Sequence, residues 1–236
     1  MSLSSSTRVV VIGGTSGIGL AVAQAVAATG AQVTVGSRSE QSVKRALAAL
    51  PGHAVGRPVD VTSGPALESF FAGTGPFDHL VYTAGDALVR GTIAGYDPRQ
   101  ARDFFDVRLF RALDAVRAAL PSLSTTGSVT LTSGAAAFRG GPGKLLGAAV
   151  SGAVVAAARS LAVELAPIRV NVVAPGIVRT PLWSGTPEEV FDRAGLDTLL
   201  GRVAGPQDVA QVYLGLMDQD QVTGNVSVVD GGSTLK

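Results

Sequence analysis

Gly13, Gly14, Gly17 and Gly19 follow directly on an apolar β-branched run, Val9 to Ile12, and lead into the smooth helical pattern of Leu20 to Thr29, closed by Gly30. Strand, glycine turn and helix form the geometry in which backbone N–H groups at a helix N-terminus hold a pyrophosphate. Glycine is needed there because a Cβ would block the approach of phosphate to backbone. The plain alternative is a tight strand-to-helix connection without a ligand. A second apolar run, Gln32 to Gly36, ends in Ser37-Arg38-Ser39, with no carboxylate to accept from a ribose 2′-OH. Arg38 can instead pair with a 2′-phosphate through charge-assisted bonds, with the hydroxyls of Thr15, Ser16 and Ser37 as further donors. Read without a ligand, Arg38 is a solvated residue ahead of a helix.

The spacing Gly13-x-x-x-Gly17-x-Gly19 resembles the short-chain dehydrogenase/reductase family, with Ile12 where that family usually has Thr. The resemblance extends over nearly the whole chain. It implies an α/β fold: a single-domain, Rossmann-type, doubly wound parallel sheet over residues 1–236, with helices on both faces. With Arg38 in place, the implied cofactor is NADP(H), held in part by Gly13, Gly17, Ile18 and Gly19. Asp60-Val61 resembles the family's adenine contact; the competing reading has Asp60 capping the helix that starts near Ser63. After the strand Phe77–Val81 the family's Asn-Asn-Ala-Gly is replaced by Tyr82-Thr83-Ala84-Gly85, which keeps the small Ala84 and Gly85 beside the cofactor. Asp86 follows and is expected to point toward the nicotinamide end. Arg169 to Pro181 closely matches the strand and loop that cover the nicotinamide. There Pro175, Gly176, Ile177 and Val178 offer backbone to the carboxamide, and Thr180 contacts it or a phosphate. Residues 182–200 are the segment expected to close over a small-molecule substrate.

The reaction centre departs from the family. Ser133 stands at the position of the catalytic Ser, but the Tyr expected thirteen residues on and the Lys four beyond it fall on Leu146 and Val150. The only tyrosines are Tyr82, Tyr96 and Tyr213, and the only lysines Lys44, Lys144 and Lys236, so no shift of register recovers the pair. Where the family reads Asp-Val-Asn, with an Asn that distorts its helix, this chain has Asp106-Val107-Arg108. The expectation is an atypical NADPH-dependent reductase whose electrophile is already activated, as an iminium, enone or carbonyl. Arg108 then polarises the substrate oxygen, Ser133 donates a hydrogen bond, and Asp86 is a weaker acid candidate. Two other classes stay open: a non-redox enzyme for cyclisation or isomerisation, and a catalytically inactive NADP-binding or regulatory protein. Arg108 could equally be ion-paired with Asp86 or Asp106. Lys144 and Arg139 read as solvated loop charges.

The elements that must carry these residues are legible as hydrophobic pattern and punctuation. Ser39 caps a helix from Glu40 to Leu50, and His53 to Val59 forms a third strand. Ala101 to Leu120 is a long helix, Ser128 to Thr132 a strand, Leu145 to Leu165 a helix rich in Ala and Gly, and Gln207 to Met217 another helix. Asn225 to Val229, then Asp230-Gly231-Gly232, reads as the last strand and its tail. The helix near 145–165 shows too little polar surface to face water, which predicts a homodimer or homotetramer built on the helices near 101–120 and 145–165. The 236 residues carry a net charge of +1 with only 5% aromatics, so nothing points to nucleic acid or an anionic membrane. Ser151, Arg159, Ser160 and Glu164 interrupt the apolar helix and argue against a membrane span. The start, MSLSSST, lacks the basic and apolar regions of a secretory signal, and there is no cysteine for disulfide or metal-thiolate chemistry. The reading is a cytoplasmic protein with no metal.

Overall fold

A computed structural model describes residues 3–85 and 87–236. Its centre is a parallel sheet of seven strands in the order β3-β2-β1-β4-β5-β6-β7. The strands are β1 (Arg8–Ile12), β2 (Gln32–Ser37), β3 (Val55–Pro58), β4 (Phe77–Tyr82), β5 (Leu123–Thr132), β6 (Arg169–Pro175) and β7 (Val226–Val229). Among the described residues eight α-helices connect and cover them: α1 (Gly17–Ala28), α2 (Glu40–Ala48), α3 (Gly64–Thr74), α4 (Pro98–Phe105), α5 (Arg111–Ala119), α6 (Leu145–Glu164), α7 (Glu188–Leu196) and α8 (Pro206–Asp218). The doubly wound single sheet expected from the sequence is present.

The continuous apolar run of β1 is explained by burial on both faces. Val9 and Val11 face a core layer that α1 and α8 complete with Val22, Val26, Val209 and Tyr213. Val10 and Ile12 face the opposite layer, completed by α3, α5 and α6 through Leu67, Phe71, Val116 and Val154. Each such fully buried aliphatic side chain contributes roughly 1.5–3 kcal/mol. The same rule makes β6, buried along its entire length, the other spine of the sheet.

Three elements differ from the sequence pattern for local reasons. The third strand begins at Val55 rather than His53, because the Pro51-Gly52 turn closes with Ala54 N–H donating to the Pro51 carbonyl at 2.9 Å. The fifth strand starts early, at Leu123, and shifts register against β4 between Phe77 and His79. The long helix expected over 101–120 starts at Pro98, capped by Asp97, whose Oδ1 accepts from Arg99 N–H at 2.8 Å. It is then split by a π-turn over Asp106–Phe110. By length and composition α6 could cross a membrane, but it packs on the sheet through Val150, Val154, Val155, Ala158 and Ala162.

Candidate active site

In this strand order the connections leave in opposite directions on either side of β1 and β4. That switch point opens a crevice at the carboxyl ends of the strands. A cleft of about 990 Å³ lies there. One half is built by the β1–α1 turn and the ends of β2 and β3. The other is built by the ends of β4, β5 and β6, the π-turn, the start of α6 and the segment after Pro181.

The first half has the form of a dinucleotide cradle. Gly13 adopts φ +82°, and a Cβ there would lie 2.6 Å from Ala84 N and 2.8 Å from Thr83 Oγ1. A Cβ on Gly19 would lie 2.3 Å from the Gly13 carbonyl oxygen. Only glycine permits this closeness of turn, helix and β4. Thr83 Oγ1 donates to the Ile12 carbonyl at 3.0 Å and pins the turn from the other side. Ser39, Ser63 and Asp97 each cap their own helix with a side chain, whereas Ser16, at the N-cap of α1, makes no such bond. The first N–H groups of α1 are therefore left for an anion. Gly17 faces Thr180, which closes the cradle from the β6 side.

Thr15, Ser16, Ile18, Ser37, Arg38, Asp60, Val61, Ala84, Gly85, Pro175, Ile177 and Val178 all line the cleft with Gly13, Gly17, Gly19, Gly176 and Thr180. Every expected cofactor residue is thus brought to one surface. Asp60 is not the cap of α3: Ser63 Oγ takes that role, accepting from Ala66 N–H at 3.3 Å. Asp60 Oδ1 instead accepts from Thr62 N–H at 3.0 Å and Thr62 Oγ1 at 2.8 Å. Those bonds, with the charge of Arg38, hold its carboxyl below the usual carboxylate range.

The reaction half differs from expectation in several respects. Ser133 Oγ donates its proton to the Ser151 carbonyl of α6 at 2.9 Å, so the hydroxyl offers lone pairs to the cleft and is not the expected donor. Arg108 lies in the π-turn with its guanidinium carbon 4.0 Å from the Phe104 ring centroid. A Cβ on Gly85 would be 3.4 Å from Arg108 Nη2, which puts the charge directly against the cofactor strand end. Asp106 does not hold Arg108, because Arg111 grips it at 3.0 Å (Nε–Oδ2) and 2.9 Å (Nη2–Oδ1). Asp86 lies outside the described residues. The π-turn itself is fastened by Tyr82, whose buried hydroxyl donates to the Val107 carbonyl at 2.7 Å. This explains a Tyr where the family has Asn.

No tyrosine is among the described residues that line the cleft. Tyr213 is fully buried and its hydroxyl meets Thr132 Oγ1 at 2.6 Å. Thr132 already donates to the Tyr82 carbonyl, so Tyr213 is the donor of that pair, and burial pushes its phenol well above the ordinary value. Tyr96 is exposed. The helix face expected at the catalytic Tyr and Lys also needs correction. Val150 lines the cleft, but Leu146 does not; the spaced pair on that face is Gly147 and Ser151. A Cβ added to Gly147 would meet nothing within 4 Å. Counting from Ser133 misjudges the phase of α6 by one residue, or about 100° of rotation.

Arg139 and Lys144, read from the sequence as solvated charges, line the cleft, as do Arg90 and Trp183. Arg90 and Trp183 were not singled out from the sequence. A guanidinium and an indole in separate loops carry no spacing signal, yet Arg90 Cζ sits 5.0 Å from the Trp183 ring centroid. Within the segment 182–200, Leu182, Trp183, Ala194, Asp197 and Thr198 reach the cleft. Trp183 packs edge-on against Phe191, and the Arg179 guanidinium carbon lies 4.7 Å from the Phe191 ring centroid. The tail is tied to this segment: Leu199 N–H donates to the Gly231 carbonyl at 2.8 Å, and Lys236 donates to the Leu196 carbonyl. Among the described residues no group of three or more His, Cys, Asp or Glu could hold a metal ion.

Residues 13–234 match the family model described as enoyl-(acyl carrier protein) reductase. The short-chain dehydrogenase/reductase malC of Malbranchea aurantiaca is 34% identical over 251 residues, covering 97% of this chain and 95% of that protein. Its solved structure, described as MalC reductase/Diels-Alderase, superposes with a TM-score of 0.90 at 30% identity, covering 98% of this chain and 97% of that one. A small-chain dehydrogenase solved in complex with NADPH superposes with a TM-score of 0.82 at 30% identity, over 98% of this chain and 99% of that one. Carbonyl reductase family member 4 of Xenopus tropicalis is 32% identical, covering 96% of this chain and 97% of the relative.

Proposed function

The chain belongs to the short-chain dehydrogenase/reductase family and is an oxidoreductase of that family, and from this premise we propose that it is an NADP(H)-dependent reductase working without a tyrosine acid. Its substrate is a small molecule whose electrophilic carbon is activated before it meets the enzyme. The observation that carries this reading is the contrast between the two halves of the cleft. The cradle is complete from Gly13 to Thr180, while the α6 face beside Ser133 offers Gly147 and Ser151 in place of a Tyr and a Lys. NADP is favoured over NAD because Ser37 and Arg38 close β2 without a carboxylate. The relative solved with NADPH supports the same choice.

When bound, the reduced nicotinamide supplies the hydride. The chain supplies placement and charge. Gly13, Gly17 and the first N–H groups of α1 would take the pyrophosphate, Arg38 the 2′-phosphate, and Pro175 to Val178 the carboxamide end. Arg108 stabilises negative charge that develops on a substrate oxygen. Ser133 orients the substrate as an acceptor, since its proton is committed to Ser151. Water delivers the proton. A fixed positive charge favours carbonyl and enone substrates over an iminium, which gains nothing from Arg108.

The relative described as a reductase/Diels-Alderase supports a second reading, in which the same cleft folds a substrate for cyclisation. A panel of iminium, enone, activated carbonyl and plain ketone substrates, followed by the absorbance of the reduced nicotinamide, separates the two. The reductase reading expects NADPH consumption with the activated substrates and little with plain ketones. No consumption with any of them, alongside rearrangement that proceeds equally with NADP⁺, would establish the second reading. Tight NADPH binding with neither reaction would leave an inactive binding protein.

A further inference from the structure

Arg90, Arg139 and Lys144 come from three separate stretches of chain and all line the cleft. Arg90 follows β4, Arg139 follows β5, and Lys144 is the N-cap of α6. In sheet order they lie across the switch point from Arg38, which follows β2, so they stand on the reaction side. The stretches that carry Arg90 and Lys144 are joined through the backbone. A parallel bridge joins Gly91 to Lys144, and Gly91 N–H donates to the Gly143 carbonyl at 3.3 Å. The backbone therefore ties the stretch that carries Arg90 to the one that carries Lys144.

Lys44, Arg111, Arg117, Arg179 and Arg202 each have a carboxylate within 4.0 Å, while other cations among the described residues, such as Arg45 and Arg99, have none. Among the described residues Arg90, Arg139 and Lys144 have none, although Arg139 donates to the Ser233 carbonyl of the tail. Among the described residues of the lining, two of the three acids are engaged. Asp230 accepts from Gly232 N–H, Ser233 Oγ and Thr234 N–H, and Asp60 sits with Arg38 and Thr62. Asp197, in the covering segment, is the remaining carboxylate of the described lining. Cations that line one cleft give it a positive potential, which favours the binding of an anion there.

We infer that the substrate carries an anionic oxygen group, a carboxylate or a phosphate, which Arg90 and Lys144 receive with Arg139 beside them. Trp183, stacked with Arg90, gives this mouth an apolar wall, so the anion is borne on a flat or apolar body. The inference deepens the reductase reading and rests on it for the identity of this half as the substrate side. Its test does not depend on turnover.

Trp183 is the only tryptophan of the chain, so its emission reports this mouth directly. With NADP⁺ present, the protein is titrated with benzoate, phenyl phosphate and benzamide. Benzoate or phenyl phosphate should change the emission saturably while benzamide does not, and the tighter of the two anions identifies the group. Arg90→Gln/Lys144→Gln should weaken the anions about tenfold or more, the usual consequence of losing a charged hydrogen bond. Lys144→Gln alone leaves the Arg90–Trp183 contact intact and should also weaken them, which guards against a merely misfolded double variant. Benzamide binding as well as benzoate, or undiminished anion binding in both variants, overturns the inference. Anion binding without reduction of any electrophile would sink the reductase reading and leave this one standing.

Discussion

Arg38 offers the sharpest test of the cofactor half. It is exposed at the end of β2 and faces the cleft beside Asp60. A charge-assisted hydrogen bond is worth roughly 1.5–3 kcal/mol, and exposure places Arg38 at the lower end, because solvent and ions screen it. Loss of about 1.5 kcal/mol corresponds to about tenfold in affinity. Arg38→Ala should therefore weaken NADPH about tenfold and leave NADH nearly unchanged. Arg38→Asp should go further, because a second carboxylate beside Asp60 repels the 2′-phosphate, and it should raise NADH to parity or above. Asp60 keeps its two bonds from Thr62 in either variant, so the adenine side of the cradle is not expected to collapse. Fluorescence titration of both coenzymes at low and moderate salt is the assay, and the NADPH preference of the parent should shrink as salt rises. Equal affinity of the parent for NADPH and NADH, or an unaltered preference in Arg38→Asp, would refute the assignment of the 2′-phosphate to this residue.

Arg108→Ala should slow reduction of enones and carbonyls by about 100-fold or more while leaving iminium substrates unchanged or faster, as single-turnover rates would reveal. Gly147→Tyr places a phenol where a Cβ has open space, and should raise the rate on plain ketones toward the low end of the roughly 100- to 10,000-fold typical of a positioned acid. His79 is buried, with Nδ1 2.9 Å from Ser128 Oγ, and burial, then Arg169, pushes its pKa from 6.5 down to about 4. The unfolded chain takes up that proton first, so stability should fall as pH drops from about 6.5 to about 4, by about 3 kcal/mol from this group. Denaturant titrations of the parent and of His79→Gln across that range check it, since the variant should lose this part of the pH dependence. Phe110 on the π-turn and Leu145 and Val163 on α6 are exposed, and we propose that a second copy covers these helices. Sedimentation that finds only a species of about the chain mass of 23.8 kDa at micromolar concentration would count against it.

Much of this molecule could be read locally. The β1–turn–α1 unit, the cap at Ser39, the Ser37-Arg38 end of β2 and the 169–181 stretch are each determined within a dozen or so residues. Steric and hydrogen-bonding rules acting over that distance leave a legible pattern. The cofactor half of the cleft was legible for the same reason: glycine position and charge type suffice to mark it.

The reaction half was decided by tertiary contacts. Whether Ser133 donates or accepts depends on the Ser151 carbonyl, brought near by α6 packing on β5 and β6. The π-turn that carries Arg108 is held by Tyr82 from a neighbouring strand, and its alternative partner Asp106 is claimed by Arg111. The phase of α6 is set by the turns between Ser133 and Lys144. A helix rotates about 100° per residue, so an error of one in that count exchanges Leu146 for Gly147 at the cleft. The basic mouth was hidden for a related reason. Its three cations are scattered and unremarkable in sequence, and only the folded chain brings all three to the lining of one cleft.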